Sequence, residues 1–200
     1  MKLLLFICLL VVFVQGAISG TITPVSYVAT PGEPHSGYAT YEYTDNTGKQ
    51  LIDGVLGVNQ WDANFGNGPA YEWVGWIRQN PTITFDFGSS VTVTTVSIGF
   101  NRTGAAGIGL PPSVTVNGNT FSVPANALAD ATRGFLSFSG SWTGSSLTLN
   151  VPVPAINQTF LFIDEVRFDS ATGVPEPGTG LLLTGALGAF AVAFRRRKRA

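Results

Sequence analysis

Residues 82–100 read "TITFDFGSSVTVTTVSIGF", and the side-chain period of this stretch decides the fold. From Thr82 to Phe87 apolar and polar residues alternate, with Ile83, Phe85 and Phe87 on one side. A period of two belongs to a half-buried β-strand, because successive Cβ atoms point to opposite faces. The alternation continues as Val91 and Val93 and then as Val96, Ile98 and Phe100, so its phase slips between Val93 and Val96. An extra residue in one strand of a pair, a β-bulge, produces such a slip. Downstream, "SVTVNGNTFSV" (113–123) sets Asn117-Gly118 between two short alternating runs. That dipeptide suits a tight hairpin, whose two central residues need positive φ. Further strands are expected at Gly134–Phe138, Leu147–Val151 and Thr159–Phe168. No stretch before the C-terminal tail sustains a helical period. Many short strands with Gly and Pro between them predict an all-β sandwich or barrel.

The two ends of the chain have a different character. Lys2, the apolar run "LLLFICLLVVFV" (3–14) and the small residues Gly16, Ala17 and Ser19 form the pattern of a secretory signal peptide, expected over 1–19. The one cysteine, Cys8, falls inside that run, so disulfides, thiolate metal sites and cysteine nucleophiles are not expected in the exported protein. At the other end stands "GVPEPGTGLLLTGALGAFAVAFRRRKRA" (173–200). Gly178–Phe194 is an uncharged run of 17 residues, or about 25 Å as a helix, the short end of what crosses a bilayer. The cations from Arg195 to Arg199 would hold the terminus in the cytoplasm. Pro175 and Pro177 stop helix from propagating back into residues 171–177, which stay extended.

Between these ends, from Thr21 to Val174, five cations (Lys49, Arg78, Arg102, Arg133, Arg167) face eleven acids, near −6, although the whole chain is at −1. An acidic domain without a basic stripe excludes nucleic acid, whose binding requires phosphate neutralisation. Charged residues are only 12% of the chain, and Thr, Ser, Asn and Gly fill the polar positions instead. Catalysis is not expected either. His35, the one histidine, lies in the turn-like "TPGEPHSGY" and supports neither a zinc cluster nor a Ser-His-Asp triad. Asp164 and Glu165 are neighbours on an expected strand, so their side chains should point to opposite faces and not share one glycosidic bond.

Val174-Pro175-Glu176-Pro177, the short apolar span and the arginine cluster together resemble the PEP-CTERM sorting signal of Gram-negative bacteria. The resemblance implies recognition by an exosortase, passage through the inner membrane by the C-terminal helix, and a destination at the cell surface or in an extracellular polysaccharide matrix. Residues 20–170 carry a second resemblance. Leu51-Ile52-Asp53-Gly54, "WVGW" (73–76), "ITFDFG" (83–88), "GLPPSVTVNG" (109–118) and "FLFIDEVRF" (160–168) are similar, in that order, to a discoidin-like domain. The similarity is greatest to bacterial carbohydrate-binding modules with a galactose-binding-like jelly-roll sandwich.

That second resemblance implies a structural Ca2+ held by Asp53 and Glu165, with Asp45 as a further candidate; calcium takes six to eight oxygen ligands. The same residues also admit a plainer reading, in which Asp53 caps the turn before Gly54 and Glu165 is a solvated strand residue. For a glycan, Trp61 and Trp142 lie among Asn, Gly and Ser and are expected in loops, as ring platforms. Arg102 opens the "NRTGAAGIGL" loop as a donor to hydroxyls or as the partner of an acid. Trp73 and Trp76, beside a strand, are expected in the core. These features lead to an exported, non-catalytic sandwich that binds extracellular glycan. The alternative is a structural or adhesive matrix protein that binds no sugar.

Overall fold

In the computed structural model the described residues are 20–32, 43–45, 47–59, 61, 72–154 and 159–170. The strands in chain order are β1 (Gly20–Ile22), β2 (Ser26–Ala29), β3 (Val74–Trp76), β4 (Thr82–Arg102), β5 (Ser113–Val116), β6 (Asn119–Ser122), β7 (Thr132–Asn150) and β8 (Leu161–Ser170). A 3-10 turn at Gly104–Ala106 is the one helical element among the described residues. Apart from that turn the described residues are all-β, as the two-residue period predicts.

Two long strands organise the sheet. The first part of β4 pairs with β2 on one side and with the last part of β7 on the other, through Ile83↔Leu149 and Phe85↔Leu147. The second part of β4 pairs with the first part of β7 and with β8. The register shifts between Asp86 and Val91 and again between Val93 and Thr95, the place where the alternation slips in the sequence. These breaks bend the long strands, so that their two halves lie in two facing layers. Phe85 and Phe87 of the first half meet Phe168 of β8 edge-on, with ring centroids 4.8 and 5.2 Å apart. Ile83, Val96, Ile98, Phe100, Leu149 and Ile163 are fully buried in the core between the layers. Full burial of such side chains contributes roughly 1.5–3 kcal/mol each.

The β5–β6 hairpin forms as expected, with Asn117 at φ 43° and Gly118 at φ 86°. The outer faces are held by hydroxyl pairs where other sheets use charges. Thr84 meets Thr148 at 2.9 Å, Thr92 meets Thr143 at 2.9 Å, and Ser97 meets Ser137 at 2.8 Å. Such cross-strand pairs stabilise a sheet by a few tenths to about 1 kcal/mol each and need no charge.

The structure also departs from the expectation. Gly134–Phe138 and Leu147–Asn150 are not separate strands but parts of the continuous β7, and Val151 lies just past its end. The short strands β1, β2 and β3 carry too few residues to show a period, and each is recruited by the edge of a long neighbour. Gly20–Ala171 forms one compact unit. The expected signal peptide (1–19), the segment 171–177, the membrane span (178–194) and the basic tail (195–200) lie outside the described residues, as does His35. Among the described residues no helix is long and apolar enough to cross a membrane.

Candidate functional site

Asp53 and Glu165, far apart in sequence, come to one cleft. Residues 49–55 turn tightly, with Ile52 N–H donating to Lys49 O at 2.8 Å and Val55 N–H donating to Asp53 Oδ1 at 2.8 Å. Val166 N–H donates to Leu51 O at 2.8 Å, which lays this turn along β8. Gly54, at φ 80°, directs its N–H to Glu165 Oε2 at 3.1 Å. The cleft has a volume of about 370 Å³ and is lined by Thr21, Thr23, Asp53, Gly54, Glu165 and Arg167 among others.

Asp53 therefore does cap its turn. Glu165 is no solvated strand residue, since it is only 5% exposed. Its carboxyl is pushed up to about 7, chiefly by burial and further by the charge of Asp53, against the pull of the Gly54 N–H. A folded-state value above the unfolded one means that the folded protein binds the extra proton between about pH 4.5 and 7. Stability should therefore fall as pH rises through that window and level off above it. Melting curves of wild type and Glu165→Gln across pH 4–8 check this, because the decline should be shallower in the variant. Equal slopes would remove the strain at Glu165.

Asp45 does not join this pair. Its carboxylate accepts from the Tyr27 hydroxyl, from Thr47 N–H at 2.9 Å, from Thr47 Oγ1 at 3.0 Å and from Gly48 N–H at 2.8 Å. Burial pushes this group up, but these bonds hold it below the ordinary value. Its oxygens are taken by Tyr27, Thr47 and Gly48 instead of facing the cleft. No third Asp, Glu, His or Cys completes a cluster among the described residues.

The expected glycan residues separate. Trp142 is not in a loop. It stands inside β7 opposite Val93, is 6% exposed, and packs edge-on to Phe121 with ring centroids 6.3 Å apart. The physical reason is the register break, where Gly140 and Ser141 face the single residue Thr94. A bulge re-aims the side chain beside it, and Gly140 carries no Cβ that would collide with the ring. Trp142 thus offers no face to a ligand.

Trp61 is half-buried, packed on a second cluster of Tyr43, Trp73, Ile108 and Phe162, with its ring centroid 5.9 Å from that of Phe162. Trp73 and Trp76 are each 1% exposed, as expected of core residues, which leaves Trp61 as the one tryptophan of four that reaches the surface. Arg102 ends β4 and is half-buried; its Nη1 donates to Leu128 O at 2.7 Å. Nearby, Asp130 is held below the ordinary carboxylate value, first by the Gly104 N–H and also by the Arg102 charge. The neighbouring Asn101 is fully buried, and its Nδ2 donates to Asn59 O at 3.0 Å. That bond joins the strand carrying Arg102 to the loop carrying Trp61.

A group with no sequence signal supports this end. Asp164, buried like Glu165, accepts Gly57 N–H at 2.8 Å and a two-pronged bond from Arg133, Nε to Oδ2 at 2.7 Å and Nη2 to Oδ1 at 3.1 Å. Adjacent carboxylates expected on opposite faces of a strand thus hold two amides of one loop, at residues 54 and 57. The register break of β8 against β4, between Ile98 and Phe100, falls at this point.

Residues 173–198 match the model of the PEP-CTERM protein-sorting motif. The chain carries a PEP-CTERM sorting motif. Such a motif marks an exported protein sorted at the membrane. No curated protein matches the chain. The solved structures it resembles include carbohydrate-binding modules. One is truncated AlyQ with CBM32 and alginate lyase domains, at 18% identity and TM-score 0.49, covering 82% of this chain and 36% of that one. Another is the family 32 module of C. perfringens NanJ in complex with galactose, at 12% identity and TM-score 0.43, covering 76% and 100%. A third is chitosan-binding module 1 from the chitosanase/glucanase of Paenibacillus sp. IK-5, at 14% identity and TM-score 0.40, covering 74% and 96%. The chain therefore spans about a third of the AlyQ chain and nearly the whole of the two single modules.

Proposed function

We propose that this PEP-CTERM protein is exported, sorted through an exosortase, and uses its sandwich to bind extracellular glycan without catalysis. The observation that supports the glycan reading is that Trp61, the one tryptophan at the surface, follows a segment tied through Asn59 to Asn101, the residue before Arg102. An aromatic ring can cover the apolar face of a sugar while a guanidinium donates to its hydroxyls. In an affinity gel loaded with the host's own polysaccharide, Gly20–Ala171 should be retarded. Trp61→Ala and Arg102→Ala should migrate freely while still folding, with a smaller fall in melting temperature than the core substitution Trp142→Ala. A wild-type domain that no host polysaccharide retards would favour the adhesive matrix reading.

The Asp53–Glu165 cleft supports a structural Ca2+ as part of the same reading. Asp53 and Glu165 offer carboxylate oxygens to one cleft, and the Asp53 charge that raises Glu165 would be offset by a hard divalent cation between them. Asp53 and Glu165 would hold the ion, which would relieve their repulsion and tie the 49–55 turn to β8. A ligand of the folded state at a hundredfold excess over Kd adds about 2.7 kcal/mol. Chelation of calcium-loaded protein should therefore lower the melting temperature by about 5–11 °C. In Asp53→Ala the drop should be much smaller. An unchanged wild-type curve on chelation would remove the calcium.

A further inference from the structure

The buried Arg133–Asp164 pair is more than the core requires. Asp164 is 0% exposed and the Arg133 side chain 12%, so both charges have lost most of their water. A buried ion pair contributes no more to stability than well-packed apolar residues would, because desolvation offsets the attraction. An apolar pair, however, could not do what these groups do for Gly57 and Asn59. Asp164 Oδ2 accepts Gly57 N–H at 2.8 Å, and the Arg133 backbone N–H donates to Asn59 Oδ1 at 3.0 Å. The loop leading to Trp61 is therefore fixed to β8 at Gly57 and to β7 at Asn59.

The surroundings are shaped for this arrangement. A Cβ on Gly99 would run into Asp164 Oδ1 and lie 2.7 Å from Arg133 Nη2, and a Cβ on Gly57 would run into the Trp73 ring. Arg133 is steadied further by the Phe135 ring, whose centroid is 4.0 Å from its guanidinium carbon. The site thus has two glycines that clear its space, a bidentate ion pair and two loop contacts.

We propose that Arg133 and Asp164 are positioning residues, which hold Gly57 and Asn59, on the approach to Trp61, so that this ring is presented in one fixed place at the surface. The inference rests on the reading of Trp61 as a ligand contact, but the placement itself can be measured without any ligand. Because Trp73, Trp76 and Trp142 are buried, acrylamide quenching of the folded domain reports on Trp61. Hydrogen exchange of the Gly57 amide reports on the clamp.

The experiment uses Gly20–Ala171 well below its melting temperature, without sugar. In Asp164→Ala and in Asn59→Ala, quenching should rise. In Asp164→Ala the Gly57 amide should also exchange at least about tenfold faster, one decade being 1.4 kcal/mol, near the lower end for a lost bond to a charged group. Asp164→Asn keeps an oxygen for Gly57 and should restore most of the protection. Asn59 is exposed, so where Asp164→Ala does not fold, Asn59→Ala and Asp164→Asn carry the test. A role in stability alone would lower the melting temperature and leave quenching of the folded state unchanged, and that result overturns the proposal. If the variants loosen Trp61 but no polysaccharide retards the wild type, the clamp stands and the glycan reading falls.

Discussion

Replacing Trp142 with alanine should lower the melting temperature of Gly20–Ala171 by about 6–20 °C. Removal of a buried tryptophan costs about 3–5 kcal/mol, and each kcal/mol moves a domain of this size by about 2–4 °C. The ring packs edge-on to Phe121 and belongs to the core cluster with Phe138 and Val93, so its loss leaves a cavity that the bent β7 cannot close. Trp76→Ala should fall in the same range, since its ring is fully buried and its Nε1 donates to Thr30 O at 2.9 Å. Trp61→Ala is the internal comparison and should lower the melting temperature less, since its ring is only half-buried. Thermal unfolding of the three variants, followed by circular dichroism, makes the check. If Trp142→Ala melts with the wild type while Trp61→Ala collapses, the assignment of core and surface is reversed.

The other large effect belongs to the sorting motif. Pro175→Ala together with Pro177→Ala should leave full-length protein in the inner membrane of the host, with release into the medium close to zero. Each proline removes a backbone donor and costs a helix roughly 3 kcal/mol at an interior position. Alanine at both places would let the helix expected for residues 178–194 propagate back through Glu176 and would remove the extended segment expected to be recognised. Pulse-chase labelling of the cell and medium fractions measures this directly. Normal release of the double variant would mean that the extended knot is not what is recognised.

Much of this molecule is legible from neighbouring residues alone. The alternation of Ile83, Phe85 and Phe87 and its slip after Val93 both reappear, as a strand and as a register break. Asn117-Gly118 reappears as a hairpin turn with both φ angles positive. These features are local, since a two-residue period and a turn dihedral depend on residues a few positions apart. The sorting motif is linear for the same reason.

Trp142 shows where local reading stops. Its flanks, "SGSWTGSS" (139–146), have the composition of a loop. In the fold the small residues are what allow β7 to bulge and the ring to turn inward. Asp164 and Glu165 show it again. Alternation along a strand would send them apart, yet the break opposite Gly99 and the loop wrapped over β8 bring both carboxylates to amides of residues 54 and 57.

The sequence by itself thus determined the all-β class, the hairpin, the place of the register break and the sorting motif, because each is written in the spacing of close neighbours. It also placed Asp53 and Glu165 as a pair through the resemblance of the surrounding motifs. Only the tertiary structure decided which tryptophan reaches solvent, which acid is strained and which is ion-paired, and that Arg133 is the partner. Those outcomes depend on groups from β4, β7, β8 and the 53–61 loop meeting in space. Burial and charge pairing are properties of such meetings, and no local period encodes them.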